Sequence, residues 1–473
     1  MPTHRAYAFT MLLAMLLGCG ALLIPSRVAY AATISVTTTA DELDTNSACS
    51  LREAIRAANT NAKVGACVAG SSTGTDTIMV PAGTYVLTRL GADEEVGLTG
   101  DLDITSPIKI VGAGVSATVI DGNRTDRVLN VKSGATLTLT KVTVRNGHVN
   151  PDLTVAVNGG GIYNNGTLTL TNVTVMGNYA DAHGAGIYNN GKLTVTGSTI
   201  GENYAEGAGG GMFNAASRSA TITNSTIKDN DAYEGSGGIE NYGTVKLTSS
   251  SLLNNFAKGG GGIATFNTGT AHIVASTISG NSAEGDGGGV VVYAGGTTTL
   301  INSTVSGNSG GARYPTDVGW GGGVDNTGGT IALYSSTVTL NQGGTGGIVG
   351  PATLANTIVA GNMTYARIAS DCTGTLTSRG YNLISDTGGC TIAGDSTGNL
   401  LNVAVGLEPL QNNGGPTLTH ALASGSPAID AGNPAAPSAT LPACPTKDQR
   451  NVTRPRDGNG DGVARCDMGA VER

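Results

Sequence analysis

From roughly Val142 to Asn362, a strand-like run ending in Asn alternates with a glycine cluster ending in an apolar residue, and the pair recurs about every 26 residues. The Asn positions are Asn178, Asn203, Asn230, Asn255, Asn281, Asn308, Asn341 and Asn362, with gaps of 25, 27, 25, 26, 27, 33 and 21 residues. Phrases such as Ser198-Thr199-Ile200, Ser225-Thr226-Ile227 and Ser276-Thr277-Ile278 precede them. Clusters such as Gly159-Gly160-Gly161-Ile162, Gly184-Ala185-Gly186-Ile187 and Gly209-Gly210-Gly211-Met212 follow.

A coil of this length holding two or three short strands matches a parallel β-helix. Glycine clusters and Thr/Val strands exclude helical repeats, and no G-G-x-G-x-D series supports a calcium β-roll. With coils about 4.8 Å apart, roughly ten of them over residues 102–369 predict a rod about 45–50 Å long. Asn tolerates left-handed backbone and bonds to neighbouring backbone at turns. Stacked at one corner, such side chains can form a hydrogen-bonded ladder.

The ends read differently. Ser50-Leu51-Arg52-Glu53 is a capping box, and Leu51, Ala54, Ile55 and Ala58 share one face of a short helix ending near Asn59. It sits in an N-terminal cap region, residues 32–101, with strands either side of Pro81-Ala82-Gly83. Residues 370–473 break the repeat and are expected to cap the far end, because an open sheet edge invites aggregation. Residues 1–31 predict a cleaved signal peptide: Arg5, an apolar run from Met11 to Ile24, then Ala29-Tyr30-Ala31.

Export frames the charge and the cysteines. Losing residues 1–31 removes Arg5, Arg27 and Cys19 and leaves 24 basic and 34 acidic residues, a net charge of −10. That balance weighs against nucleic acid or an anionic membrane as partner. Six cysteines remain, with fifteen connectivities in principle. The local pairing Cys49 with Cys67, Cys372 with Cys390 and Cys444 with Cys466 is favoured because each pair lies within one terminal region. No later apolar segment is long enough to span a membrane.

Three stretches carry resemblances. Cys49-Ser50-Leu51-Arg52-Glu53-Ala54-Ile55-Arg56-Ala57-Ala58-Asn59 resembles the signature of the CSLREA domain of exported proteins. Leu410 to Thr417, Gly425-Ser426-Pro427-Ala428-Ile429-Asp430-Ala431-Gly432, Asp448-Gln449-Arg450 and Cys466 to Glu472 are similar to the choice-of-anchor Q domain, which usually precedes a surface anchor. The middle resembles right-handed parallel β-helix repeats of the pectate-lyase-like superfamily. These resemblances imply an all-β solenoid of that class with a short N-terminal helix, and they transfer no catalytic residue.

Candidate chemistry lies in the variable turns between each Asn and the next glycine cluster. Asp181, Glu206, Glu234, Glu284, Asp286 and Asp317 would line one edge of the rod, interrupted at Lys258. Stacked carboxylates can hold a cation or supply an acid/base pair for glycoside cleavage; exposed turns in an acidic protein also carry acids routinely. Asp457-Gly458-Asn459-Gly460-Asp461-Gly462 matches the start of a calcium loop, with Met468 where a bidentate acid belongs. His148, His183, His272 and His420 lack metal-ligand spacing, and Trp320 follows an insertion holding Arg313 and Tyr314.

The leading expectation is a secreted or cell-surface protein that binds an extracellular polysaccharide, matrix component or surface protein, as an adhesin does, without catalysis and with calcium as the one cofactor to test. The alternatives are a polysaccharide lyase or glycoside hydrolase, and a structural surface spacer.

Overall fold

The computed structural model describes residues 31–91, 94–149, 158–311 and 320–473. The signal segment and Asp317, with Arg313 and Tyr314, lie outside the described residues.

The chain winds as a parallel β-helix. In one coil the strands Ile187–Asn189, Lys192–Thr196, Thr199–Gly201 and Tyr204–Ala205 follow in turn. Each pairs in parallel with its equivalent one coil on, Ile187 with Met212, Leu193 with Ala220, Ile200 with Ile227 and Ala205 with Ala232. The fourth strand was not predicted, because two residues are too few to show alternation. Within Lys192–Thr196, Leu193 and Val195 point into the core while Lys192, Thr194 and Thr196 face outward. Burying Leu, Ile and Val in every coil is the main stabilising term.

One face is a thirteen-stranded sheet among the described residues, from Gly83–Val86 to Leu400–Leu401. Twelve steps of about 4.8 Å make the rod about 58 Å long, more than the expected ten coils gave. Parallel pairing also takes in Thr33–Ser35 and Asp76–Val80 on one side of residues 102–369, and Cys390–Asp395 on the other.

The repeated Asn forms the expected ladder. Nδ2 of Asn203 donates to Oδ1 of Asn230 at 2.9 Å and to the Val175 carbonyl at 3.1 Å, while the Asn203 N–H donates to the same Oδ1 at 3.2 Å. The pattern runs unbroken from Asn178 to Asn362, whose amide ends on Oδ1 of Asp371 at 2.8 Å. All are at most 1% exposed, so each amide is fully satisfied in a dry corner. The left-handed turn is not on the Asn itself, as expected, but on the residue before it: Gly177, Glu202, Asp229, Asn254, Gly280, Gly307, Leu340 and Gly361. Turning the backbone one residue early lets the Asn N–H and side-chain N–H converge on one acceptor. The last glycine of each cluster supplies closeness; a Cβ on Gly186 would meet the Gly211 carbonyl oxygen at 2.5 Å and Nδ2 of Asn203 at 2.9 Å.

A second Asn column, Asn164, Asn189, Asn214 and Asn241, bonds side chain to side chain at 2.7–2.9 Å. A third corner stacks Ser198, Ser225, Ser250, Ser276, Ser303 and Ser336 through N–H to Oγ bonds.

The ends are pinned by buried polar groups. The helix Leu51–Thr60 has its capping box, with Glu53 N to Ser50 Oγ at 3.1 Å and Ser50 N to Glu53 Oε2 at 2.9 Å. Arg52, 1% exposed, pairs with Asp41 at 2.6 Å and donates to the Gly100 and Asp101 carbonyls. All three expected disulfides form: Cys49–Cys67, Cys372–Cys390 and Cys444–Cys466.

Residues 403–473 do more than end the rod: they fold back along the thirteen-stranded sheet. Gln449, fully buried, donates to Ser276 O, Thr277 Oγ1 and Thr417 Oγ1 and accepts from Thr304 Oγ1. His420 Nε2 meets Ser306 Oγ at 2.8 Å, and Asn356 holds Pro442 and Asn433. Val405, Leu422, Ala428 and Met468 pack on Ile358, Ala360 and Leu383. Hydroxyls and apolar groups on the outer face of these coils draw the segment sideways. In the last long strand, Thr391, Ala393, Gly394 and Asp395 remain exposed.

Asn255→Ala should strand the N–H and Nδ2 of Asn230, two buried donors, and lower stability by at least about 2 kcal/mol, measured by denaturant unfolding.

Candidate functional site

The turn after each two-residue strand carries the candidate acids. Ala180, Ala205 and Ala232 pair in register, so the residues that follow them, Asp181, Glu206 and Tyr233, occupy equivalent places one coil apart. Lys258 and Glu284 continue that column after Ala257 and Ala283. Glu234 lies one position further along its own turn. Asp181, His183, Tyr204, Glu206, Tyr233 and Glu234 therefore line one solvent-open cleft of about 560 Å³. Three of the six predicted acids come together here.

The cleft is held from behind. Tyr179 donates to Oε1 of Glu206 at 2.5 Å and stacks on Tyr204 with ring centres 5.4 Å apart. His148 packs edge-on against Tyr179, its Nε2 3.9 Å from Oδ2 of Asp181. Burial, then the charge of Glu206, holds the Asp181 carboxyl above the ordinary range, against the opposing influence of His148. His183 stacks on Phe213, and its Nδ1 accepts the Ala208 N–H at 3.0 Å. Nδ1 is thus unprotonated and Nε2 carries the hydrogen. Burial pushes the His183 pKa down, with Glu234 opposing. The cleft therefore offers carboxylate acceptors, a neutral imidazole and tyrosine rings. Beyond it, the Lys258 ammonium lies 3.8 Å from the Tyr233 ring centre.

Glu284 and Asp286 stand beyond the Tyr233 and Lys258 coils, so the acidic edge is not continuous. Asp286 turns toward the protein and accepts from the Tyr293 hydroxyl. In the Asp457 loop, Asp457 accepts the amides of Gly460 and Gly462, and Asn459 and Asp461 accept those of Asp461 and Val463. Met468 is buried in the core, and Asp467 accepts from Asp430 N and Arg473 N rather than turning to the loop. Among the described residues, no group of three or more His, Cys, Asp or Glu is placed to hold a metal ion.

Two features went unread in the sequence. Tyr163, Tyr188, Phe213, Tyr242, Phe266 and Tyr293 stack in one column with ring centres 4.2–5.4 Å apart, which hides their faces and presents edges. Two buried carboxyls continue the strand position that holds Tyr163, Tyr188 and Phe213. Glu240 sits at the place of Phe213, and Asp325 three coils on. Burial pushes Glu240 up to about 8 and Asp325 up to about 6, and one oxygen of each has no hydrogen-bond partner. Aligning the glycine clusters exposes them: the second residue after the cluster is Tyr, Tyr and Phe in three coils, and an acid in Gly238-Ile239-Glu240 and Gly323-Val324-Asp325.

Residues 158–342 match a family model described as right handed beta helix region. No curated protein matches the chain. Among solved structures, the A-module of the Azotobacter vinelandii mannuronan C-5 epimerase AlgE4 is 17% identical, with 70% of this chain and 89% of that chain covered and a TM-score of 0.38. The pectate lyase Pel9A is 14% identical, over 85% of this chain and 89% of that one, with a TM-score of 0.34. The catalytic domain of a GH87 alpha-1,3-glucanase is 13% identical, over 69% and 64%, with a TM-score of 0.27. Likeness at this level carries nothing about chemistry.

Glu240 is neutral in the folded protein below about 8, whereas an unfolded Glu ionises near 4.3. Its folded pKa is raised, so its contribution is fully present below the unfolded value and is lost as pH rises to about 8. Denaturant unfolding at pH 5 and pH 8 should show this fall in the native protein and a smaller one in Glu240→Gln.

Proposed function

We propose that this is an exported glycan-binding rod whose cleft at Asp181, His183, Glu206 and Glu234 takes a segment of an extracellular polysaccharide. The observation that carries the reading is the cleft itself. Carboxylates accept from sugar hydroxyls, the His183 imidazole adds a polar contact, and Tyr204 and Tyr233 supply apolar surface. Three disulfides support an oxidising compartment. No helix among the described residues is long and apolar enough to cross a membrane. In the same reading the N-terminal segment is a CSLREA module and the C-terminal one a choice-of-anchor Q module. Their motifs supply the buried Arg52 and Gln449 that pin the two ends.

One observation favours cleavage as a second reading: Asp181, raised above the ordinary carboxylate range beside Glu206, has the character of a general acid next to a second carboxylate.

Purified protein presented with neutral and charged polysaccharides should retain a glycan without releasing oligosaccharides, and Glu206→Ala with His183→Ala should weaken retention about tenfold or more. Released product, lost in Asp181→Asn, would establish the second reading; no retention of any glycan would sink both. Calcium at Asp457, Asn459 and Asp461 is a separate proposal. A calorimetric heat with Ca²⁺ that disappears in Asp457→Asn supports it, and the absence of heat removes it.

A further inference from the structure

We propose that the tail end of the rod is an interaction surface for a second copy of this chain, the two strands Cys390–Asp395 pairing antiparallel about a two-fold axis.

The two ends of the coil stack differ. At the head, the first strand, Thr33–Ser35, is three residues long, and Leu51, Ala54, Ile55 and Ala58 of the helix close the core beside it, all at most 3% exposed. A short edge strand backed by a helix is a blunted edge. At the tail, residues 403–473 leave along the thirteen-stranded sheet and do not cross the end. Cys390–Asp395 is therefore the last rung of its sheet. It pairs in parallel with Cys372–Arg379 on one edge and, among the described residues, with no strand on the other. Its six residues include no Pro, Lys or Arg, the usual guards of an open edge.

The core is open at this end too. Leu376 and Ile384 are core residues at 0% and 1% exposure. One coil further on, their partners in register are Ile392, half-buried, and Leu401, 37% exposed. Each is the last of its column, with the core on one side and solvent on the other. Covering these apolar groups together with the open strand edge is favourable.

A second copy fits by symmetry. Core-facing and outward residues alternate along a strand, so antiparallel pairing that keeps both cores on one face sets like-facing residues opposite each other. Centred on Ile392, it places Ile392 against the same residue of the second copy, on the core side. Thr391 then lies opposite Ala393, and Cys390 opposite Gly394. Asp395 is the one charge in the strand, and in this register its two copies stand about 20 Å apart, beyond the screening length of about 8 Å. The Cys372–Cys390 disulfide ties the strand to the coil below, so pairing orders little that is not already fixed. Tail-to-tail contact closes at two copies. Head-to-tail contact would have only the three residues of Thr33–Ser35 to pair with and would grow without closing.

The test is sedimentation velocity on the full exported chain, with backbone hydrogen exchange across residues 390–395. The chain should reach a predominantly dimeric state by on the order of 100 µM. In the unaltered protein, the amides of 390–395 should exchange more slowly at high concentration than at low. Thr391→Lys combined with Ala393→Lys, both at exposed positions, sets four ammonium groups around the two-fold axis and should weaken the dimer tenfold or more. A single copy throughout that range would overturn the proposal. So would a dimer that the two lysines leave intact, or one that leaves exchange at 390–395 unchanged, because its interface would lie elsewhere. Assemblies that keep growing with concentration would overturn it in favour of head-to-tail contact.

Discussion

Everything in this molecule depends on keeping one coil in register with the next, and the buried asparagine column does this at a corner where no apolar side chain could. From Asn203 on, each amide gives its two hydrogens and accepts two, so the corner is dry without a lost hydrogen bond. Two other conserved-looking features of the repeat phrase follow. The residue before each Asn is left-handed, which aims the Asn, and the last glycine of each cluster has no room for a Cβ because the amide lies against it. A slip of one residue would break this column, the second Asn column and the serine column together, and would turn the core residues outward.

Register at the corners sets register on the surface. Asp181 and Glu206 occupy equivalent places because the alanines before them pair. The same rule that stacks acids also stacks rings, and the two outcomes differ in what they leave for a ligand. The Tyr163 to Tyr293 column lays ring on ring, consuming the faces that a sugar would use. At the cleft, Tyr233 follows Glu206 in its column, so that run of acids is broken and a short polar hollow forms.

The two ends solve a different problem from the middle. An N-terminal helix with an internal guanidinium and a C-terminal segment with an inserted glutamine both anchor irregular backbone by placing long polar side chains among carbonyls and hydroxyls of the rod. The buried Arg454 and Glu472, 3.6 Å apart, extend this inside the C-terminal segment. Such groups are costly to bury alone and specific once paired, so they define where an irregular segment sits.

Period and residue type alone were enough for the coil, the asparagine ladder, the capped helix and the three cysteine pairs, because each arises from contacts between equivalent positions or from near neighbours in sequence. The acids of the turns were also visible, but not their grouping. Only the stacked coils bring Asp181, Glu206 and Glu234 to one cleft and leave Glu284 and Asp286 apart, since one tyrosine and one lysine in the same column decide it. The buried Glu240 and Asp325 look like ordinary surface acids until the pairing sets Glu240 in register with Phe213 and Asp325 in register with Val291. The path of residues 403–473 along the rod depends on contacts between residues more than a hundred positions apart, such as Gln449 with Ser276 and Thr304, which no local pattern encodes.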